Sequence, residues 1–256
     1  MLLDFHAHLD HFAFKDDLSL VIERAKNVMI VATGINPGTN RFVLELSKKY
    51  PNIKAALGMY PIEALQEEAN QGEYPIKIEH FNVDEELEFI AKNKNNFVAV
   101  GEVGLDFSIV KDKNKEQKDV FEKIIKLAEK LKKPIVVHSR RAEQDVIEML
   151  ESSANKKIVL HCFCGNKKLV KRVQDNGWYF SIPTNVARSE QMQYLVETTN
   201  INNILTETDC PYLSPFPKTR NEPAFIIESV KKIAEIKKMD AVEVENVIFK
   251  NYMDLI

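Results

Sequence analysis

Six side chains able to hold a cation stand at the ends of five short apolar runs. Leu2 to Phe5 leads into His6-Ala7-His8, Phe97 to Val100 into Gly101-Glu102, and Ile135 to Val137 into His138. Ile158 to Leu160 leads into His161, and Ile204-Leu205 stands shortly before Glu207-Thr208-Asp209. His6 and His8 are two apart on an extended segment, so both rings face one side and can chelate. Each residue alone has a bland alternative: a hydrogen-bonded core histidine, or a carboxylate facing solvent or an arginine. Together they use four of the six histidines, which independent accidents do not readily produce. Mixed imidazole and carboxylate donors suit Zn2+, Mn2+ or Fe2+, whereas Mg2+ prefers oxygen. Six donors exceed the three or four of one catalytic zinc, so two divalent cations sharing a carboxylate are the natural count. The chemistry implied is hydrolysis by metal-activated water.

Such residues need a frame that brings distant ends together. Eight β-branched runs, Leu2–His8, Val28–Gly34, Ile53–Met59, Phe97–Gly104, Pro134–His138, Lys157–Phe163, Trp178–Ile182 and Ile204–Asp209, have the length of buried strands. Helical patterns lie between them. The clearest spans Lys115 to Lys133, where Val120, Phe121, Ile124, Ile125, Leu127, Ala128 and Leu131 share one face and Pro134 follows. Ser189–Thr198 and Ala224–Lys237 read similarly, and Asp240 caps a terminal helix to Ile256. Alternating strands and helices imply a parallel sheet, either open and doubly wound or closed as a (β/α)8 TIM-type barrel. No Gly-x-Gly-x-x-Gly follows the first strand, which weakens the dinucleotide-binding version. In a barrel, the carboxyl ends of the strands converge on one rim, where barrel enzymes place their sites. The stretch Ile62–Asn82 breaks the rhythm and reads as a long loop. No linker or repeat divides the chain, so residues 1–256 are expected to form a single domain.

Composition removes several alternatives. The 256 residues carry 35 basic and 38 acidic side chains, a net charge of −3, so a general polyanion binder is not indicated. Three cysteines, Cys162, Cys164 and Cys210, do not form a disulfide framework. Cys162 and Cys164 are expected to face away from His161 as buried, inert thiols rather than as zinc ligands. The N-terminal residues lack a signal-peptide pattern, and no long apolar run suits a membrane span. A soluble cytoplasmic protein without an obligate protein partner is the expectation. His11 and His80 join no evident motif. Lys167, Lys168, Lys171 and Arg172 read as a solvated helix face. Arg140, with Lys218 and Arg220, is a candidate phosphate contact, because a guanidinium presents a planar fork of donors.

At these residues the chain resembles the TatD family of metal-dependent deoxyribonucleases, within the amidohydrolase-type barrels. The matching blocks are Asp4-Phe5-His6-Ala7-His8-Leu9-Asp10, Gly101-Glu102-Val103-Gly104-Leu105-Asp106, Pro134-Ile135-Val136-Val137-His138-Ser139-Arg140, Glu207-Thr208-Asp209-Cys210-Pro211 and Arg220-Asn221-Glu222-Pro223. The resemblance implies one cation on His6, His8, Glu102 and Asp209, and a second on Glu102, His138 and His161, with Glu102 bridging. It also implies DNA as substrate, cleavage often from the 3′ end, and use of Mg2+ or Mn2+. In that reading Asp209 acts as general base, and Arg140 and Arg220 steady the phosphate. The chain departs from the family's usual Gly-x-His-Pro at Gly58-Met59-Tyr60-Pro61, where Tyr60 is left to contact substrate as a hydrogen-bond donor. Ester or amide hydrolysis, of a lactone or an aminoacyl-tRNA, is the alternative reading of the same metals. A non-catalytic metal-binding protein is a third.

Overall fold

The computed structural model describes residues 1–65, 81–108, 110 and 113–256. Most of the expected 62–82 loop, and His80 within it, lie outside the described residues. All eight expected strands form: β1 (Leu2–Ala7), β2 (Val28–Thr33), β3 (Ile53–Leu57), β4 (Ala99–Asp106), β5 (Ile135–Arg140), β6 (Ile158–His161), β7 (Tyr179–Pro183) and β8 (Ile204–Glu207). They pair in sequence order, each parallel to the next. The sheet curls until its edges meet. Ala7 bridges Cys210, the His8 N–H donates to the Cys210 carbonyl at 3.0 Å, and the Asp209 N–H donates to the His6 carbonyl at 2.9 Å. The result is a nearly closed (β/α)8 barrel rather than an open doubly wound sheet.

Nine helices are described: α1 (Leu18–Arg24), α2 (Pro37–Lys49), α3 (Val83–Lys92), α4 (Asn114–Leu131), α5 (Glu143–Glu151), α6 (Lys167–Asp175), α7 (Glu190–Thr198), α8 (Ile226–Lys237) and α9 (Ala241–Leu255). Helix α4 buries Phe121, Ile124, Ile125 and Ala128, the face its spacing predicts, and it ends where Lys132 turns left-handed. Asn36 and Thr39 form a reciprocal cap on α2, with Pro37 inside the start. The Asp240 side chain caps α9 by accepting from the Val242 N–H at 2.8 Å. Among the described residues no helix is long and apolar enough to cross a membrane.

Strands in this barrel are covered on both faces, and β4 is buried along its whole length. That is why they read as continuous apolar runs rather than as alternation. The charged exceptions in the strands and at their ends include Asp4, His6, Glu102, Asp106, His161 and Glu207, all buried. Ionisable groups in such places are costly unless they are paired or bind metal. Two strands lose regular pairing where they deliver these groups, β1 between Asp4 and Ala7 and β4 between Val100 and Val103. Bulges of this kind re-aim side chains at active-site rims. Gly104, with φ at 136°, lets β4 press on β5, since a Cβ there would lie 2.1 Å from the His138 carbonyl oxygen.

Candidate metal centre

The rim brings all six candidate ligands into one cup. His6 and His8 point their Nε2 atoms at each other across 3.1 Å. Glu102 Oε2 lies 3.3 Å from His6 Nε2 and 3.4 Å from His8 Nε2. Asp209 Oδ1 completes this side at 3.4 Å from His8 Nε2 and 3.7 Å from His6 Nε2. The other oxygen of Glu102 faces a different pair: Oε1 is 3.0 Å from His138 Nδ1 and 3.8 Å from His161 Nε2. His6, His8 and Asp209 have ligand atoms close enough to share an ion, and so do Glu102, His138 and His161. Imidazole nitrogens and carboxylate oxygens converge in both groups, the mixed donor set that divalent transition cations take. The donor set therefore fits divalent cations.

Carboxylates behind two of the candidate ligands, His138 and His161, set which nitrogen of each of these rings is free. Asp106 Oδ2 accepts from His138 Nε2 at 3.2 Å, turning Nδ1 towards Glu102. Tyr60 donates its hydroxyl to the same Asp106 oxygen at 2.7 Å, and its Oη lies 3.4 Å from His138 Nε2. Glu207 Oε2 accepts from His161 Nδ1 at 3.0 Å, and its Oε1 accepts from the Cys162 N–H at 3.1 Å. The Ser181 hydroxyl also donates to Glu207. Such carboxylate–histidine pairs fix the tautomer and aim the ligand nitrogen. Asp4 accepts from the Thr208 N–H at 2.8 Å and from its hydroxyl at 2.6 Å, holding the segment that carries Asp209. Asp209 itself sits left-handed at φ 53°, a region that Asp and Asn visit more readily than other side chains. We expect Glu207→Gln to weaken divalent-cation affinity by about 10- to 100-fold while the barrel still folds. Titration of the metal-stripped variant checks this, and unchanged affinity would show that Glu207 only fills space.

Charge in the cup is strongly perturbed. Burial disfavours the imidazolium of His161, but Glu207 outweighs it and raises the pKa to about 10. Burial likewise works against the Glu102 carboxylate, yet the three surrounding histidines hold it well below the usual range. Burial pushes Asp4 up to about 8 despite its bonds from Thr208. His161 is thus protonated in metal-free protein at neutral pH, and a cation must displace that proton. Because its folded pKa is raised, its contribution to stability is full below about pH 6.5 and is lost as pH climbs through about 10. The rise in melting temperature given by Mn2+ over chelator should accordingly grow between about pH 6.5 and about pH 9. A flat profile would exclude His161 as a ligand.

The phosphate candidates separate. Arg140 is exposed and lines the cavity that contains His8, Glu102, His138, His161 and Asp209, as does Tyr60. Arg220, expected beside it, is committed elsewhere: its guanidinium pairs with Asp17 at 2.9 and 2.6 Å and lies 4.7 Å from the Phe14 ring. Lys218 is exposed and does not line the cavity. The basic run on α6 is a surface face, with Arg172 held by Glu151. Cys164 is exposed and Cys162 half-buried, rather than both buried, because β6 stops at His161 and strand alternation no longer applies. His11 lies at the cavity wall. Asp106 and Glu207 received no role from sequence, although each stands at an even spacing from a ligand on its own segment, Asp106 four after Glu102 and Glu207 two before Asp209.

A family model described as TatD-related DNase matches residues 3–256. An uncharacterized metal-dependent hydrolase of Methanocaldococcus jannaschii is 37% identical over 252 residues, covering 97% of this chain and 94% of its own. A human protein named as a deoxyribonuclease is 35% identical over 262 residues, covering 99% and 94%. The crystal structure of a TatD homologue from Escherichia coli superposes with a TM-score of 0.86 at 23% identity, covering 99% and 97%. Barrel, rim and relatives together define a metal-dependent hydrolase. The chain belongs to the TatD family.

Proposed function

We propose that this hydrolase cleaves phosphodiester bonds of DNA, working from strand ends, with two divalent cations, Mg2+, Mn2+ or Zn2+, in the cup. The observation that carries the reading is the split of Glu102, one oxygen towards His6, His8 and Asp209 and the other towards His138 and His161. Two cations so held supply a water nucleophile near neutral pH and charge stabilisation at phosphoryl oxygens. Similarity to the human protein named as a deoxyribonuclease supports a nuclease.

The chain's own groups have distinct parts. Burial raises the pKa of Asp209, but the bond with His8 and nearby histidine charge outweigh it and hold the carboxylate below its usual range, so it is ionised, the form a proton acceptor for the attacking water requires. Glu102 holds the two halves of the cup in register. Arg140 presents paired donors to a phosphate entering past the rim. The Tyr60 hydroxyl holds Asp106, which holds His138, so Tyr60 acts here mainly by orienting a ligand. The cavity measures about 620 Å³, a volume suited to small-molecule-sized groups and hence to a strand terminus rather than a continuous duplex.

The deciding experiment is a substrate panel for the purified chain loaded in turn with Mg2+, Mn2+ and Zn2+. It should contain single- and double-stranded DNA, RNA, bis(p-nitrophenyl) phosphate, a lactone and an aminoacyl ester. Metal-dependent release of nucleotides from DNA is expected. Hydrolysis of the lactone or the aminoacyl ester with none of DNA would overturn the nuclease reading in favour of an ester hydrolase.

A further inference from the structure

The loop after β6 holds two thiols that the hydrolytic reading leaves unused. β6 ends at His161, and Cys162 turns left-handed at φ 42°. The turn folds the two side chains together. The Cys164 thiol donates to the Cys162 carbonyl at 3.4 Å, and the two thiols are in hydrogen-bond contact. Residues two apart in a turn fall within the Cα separation of about 4.4–6.8 Å that a disulfide spans. Phe163 between them is buried, with its ring 5.5 Å from that of Phe180, and the Gly165 carbonyl accepts from Gln191 Nε2 at 3.1 Å. These anchors hold the loop in the conformation that pairs the sulfurs.

Access differs among the three cysteines. Cys164 is exposed, Cys162 is half-buried and Cys210 is buried. The contact with the Cys162 thiol outweighs burial and lowers the Cys164 pKa to about 7, so part of the exposed sulfur is thiolate at neutral pH. An exposed thiolate beside a second cysteine is the arrangement that peroxides oxidise.

The loop is also tied to the cup. The Cys162 N–H donates to Glu207 Oε1 at 3.1 Å, and Glu207 Oε2 accepts from His161 Nδ1 at 3.0 Å. One carboxylate therefore holds both the His161 ring and the peptide that carries the first thiol. Joining the sulfurs draws them from contact to about 2.05 Å, which pulls on the Cys162 peptide. Its bond to Glu207 is already near the outer limit of about 3.2 Å for N–H···O. A small shift breaks that bond and frees the carboxylate to turn.

We propose that Cys162 and Cys164 are a modification site for hydroperoxides, and that their closure to a disulfide loosens the His161 side of the metal cup. The Cys164 sulfur attacks one peroxide oxygen. The O–O bond breaks, Cys164 becomes a sulfenic acid, and the other oxygen leaves with the thiol's proton, as water when the oxidant is hydrogen peroxide. The Cys162 sulfur then attacks Cys164. An S–S bond forms, the S–O bond breaks, and water leaves with the Cys162 proton. The dithiol gives up two electrons and two protons, and the peroxide takes up both. This rests on the reading of the cup as a metal centre, and two separate readouts keep the claims apart.

The full chain, reduced and stripped of metal, is treated with equimolar hydrogen peroxide. Peptide mapping should find Cys162 joined to Cys164 and Cys210 still free, and dithiothreitol should restore both thiols. Titration with Mn2+ should show affinity at one site about 10- to 100-fold weaker in the oxidised chain, recovering after dithiothreitol. Cys164→Ser should bind Mn2+ as the reduced parent does, before and after peroxide. If that variant does not fold, reversal by dithiothreitol on the parent still decides. Two thiols left free, Cys164 carried on to a sulfinic acid without a link, or a link between two chains would each overturn the proposal. So would a disulfide that leaves Mn2+ affinity unchanged. A reduced chain that binds no Mn2+ would remove the metal-centre reading, and with it the effect on the cup, while the peptide map alone still decides the thiol chemistry.

Discussion

Asp209→Asn is expected to lower turnover by about 10²- to 10⁴-fold, the usual worth of a positioned proton acceptor, with little change in melting temperature. Asparagine keeps the shape of the side chain and tolerates the left-handed backbone at φ 53°. The main-chain bond from residue 209 to the His6 carbonyl does not involve the side chain. What is lost is the negative charge that Oδ1 shares, and with it the basicity of the atom that faces His8 and His6 and would receive the proton. Single-turnover cleavage alongside a circular dichroism melt checks the expectation. Cleavage within tenfold of wild type would remove Asp209 as base.

The larger effect is expected from Glu102→Gln. The substitution turns one of two ionised oxygens into an amide nitrogen, so one side of the cup loses its shared donor whichever way the amide points. Metal analysis should find two divalent cations per chain in wild type and at most one in the variant. Turnover should fall by about 10³-fold or more, the cost of several kcal/mol of lost charge stabilisation. The buried histidines around Glu102 would also lose the carboxylate they now share. Retention of two tightly held ions by Glu102→Gln would refute the bridging role.

Much of this was legible in the sequence. The strands could be read because burial on both faces leaves an uninterrupted apolar signature, and the candidate ligands because each follows the apolar run of its segment. His6, His8, Glu102, His138, His161 and Asp209 were all visible by that logic. Partnerships across the barrel were not. Arg220 looks free beside Asn221 and Pro223, and only the fold shows Asp17, some two hundred residues earlier, closing on its guanidinium. Asp106 and Glu207 stand beside ligands in sequence, yet their task depends on which ring nitrogen faces inward, a matter of geometry. Cys164 misleads for another reason: alternation predicts a face only while the strand continues.

The barrel closes where β1 meets the end of β8, and there the backbone offers a single bridge, Ala7 to Cys210, with two flanking hydrogen bonds. His6 and His8 belong to one side of that seam and Asp209 to the other. An ion held by the three would rivet the two edges together more firmly than the sparse ladder does. During synthesis, His6 and His8 must wait some two hundred residues for their third partner, so a product stalled before Asp209 would have neither a sealed wall nor a complete cup.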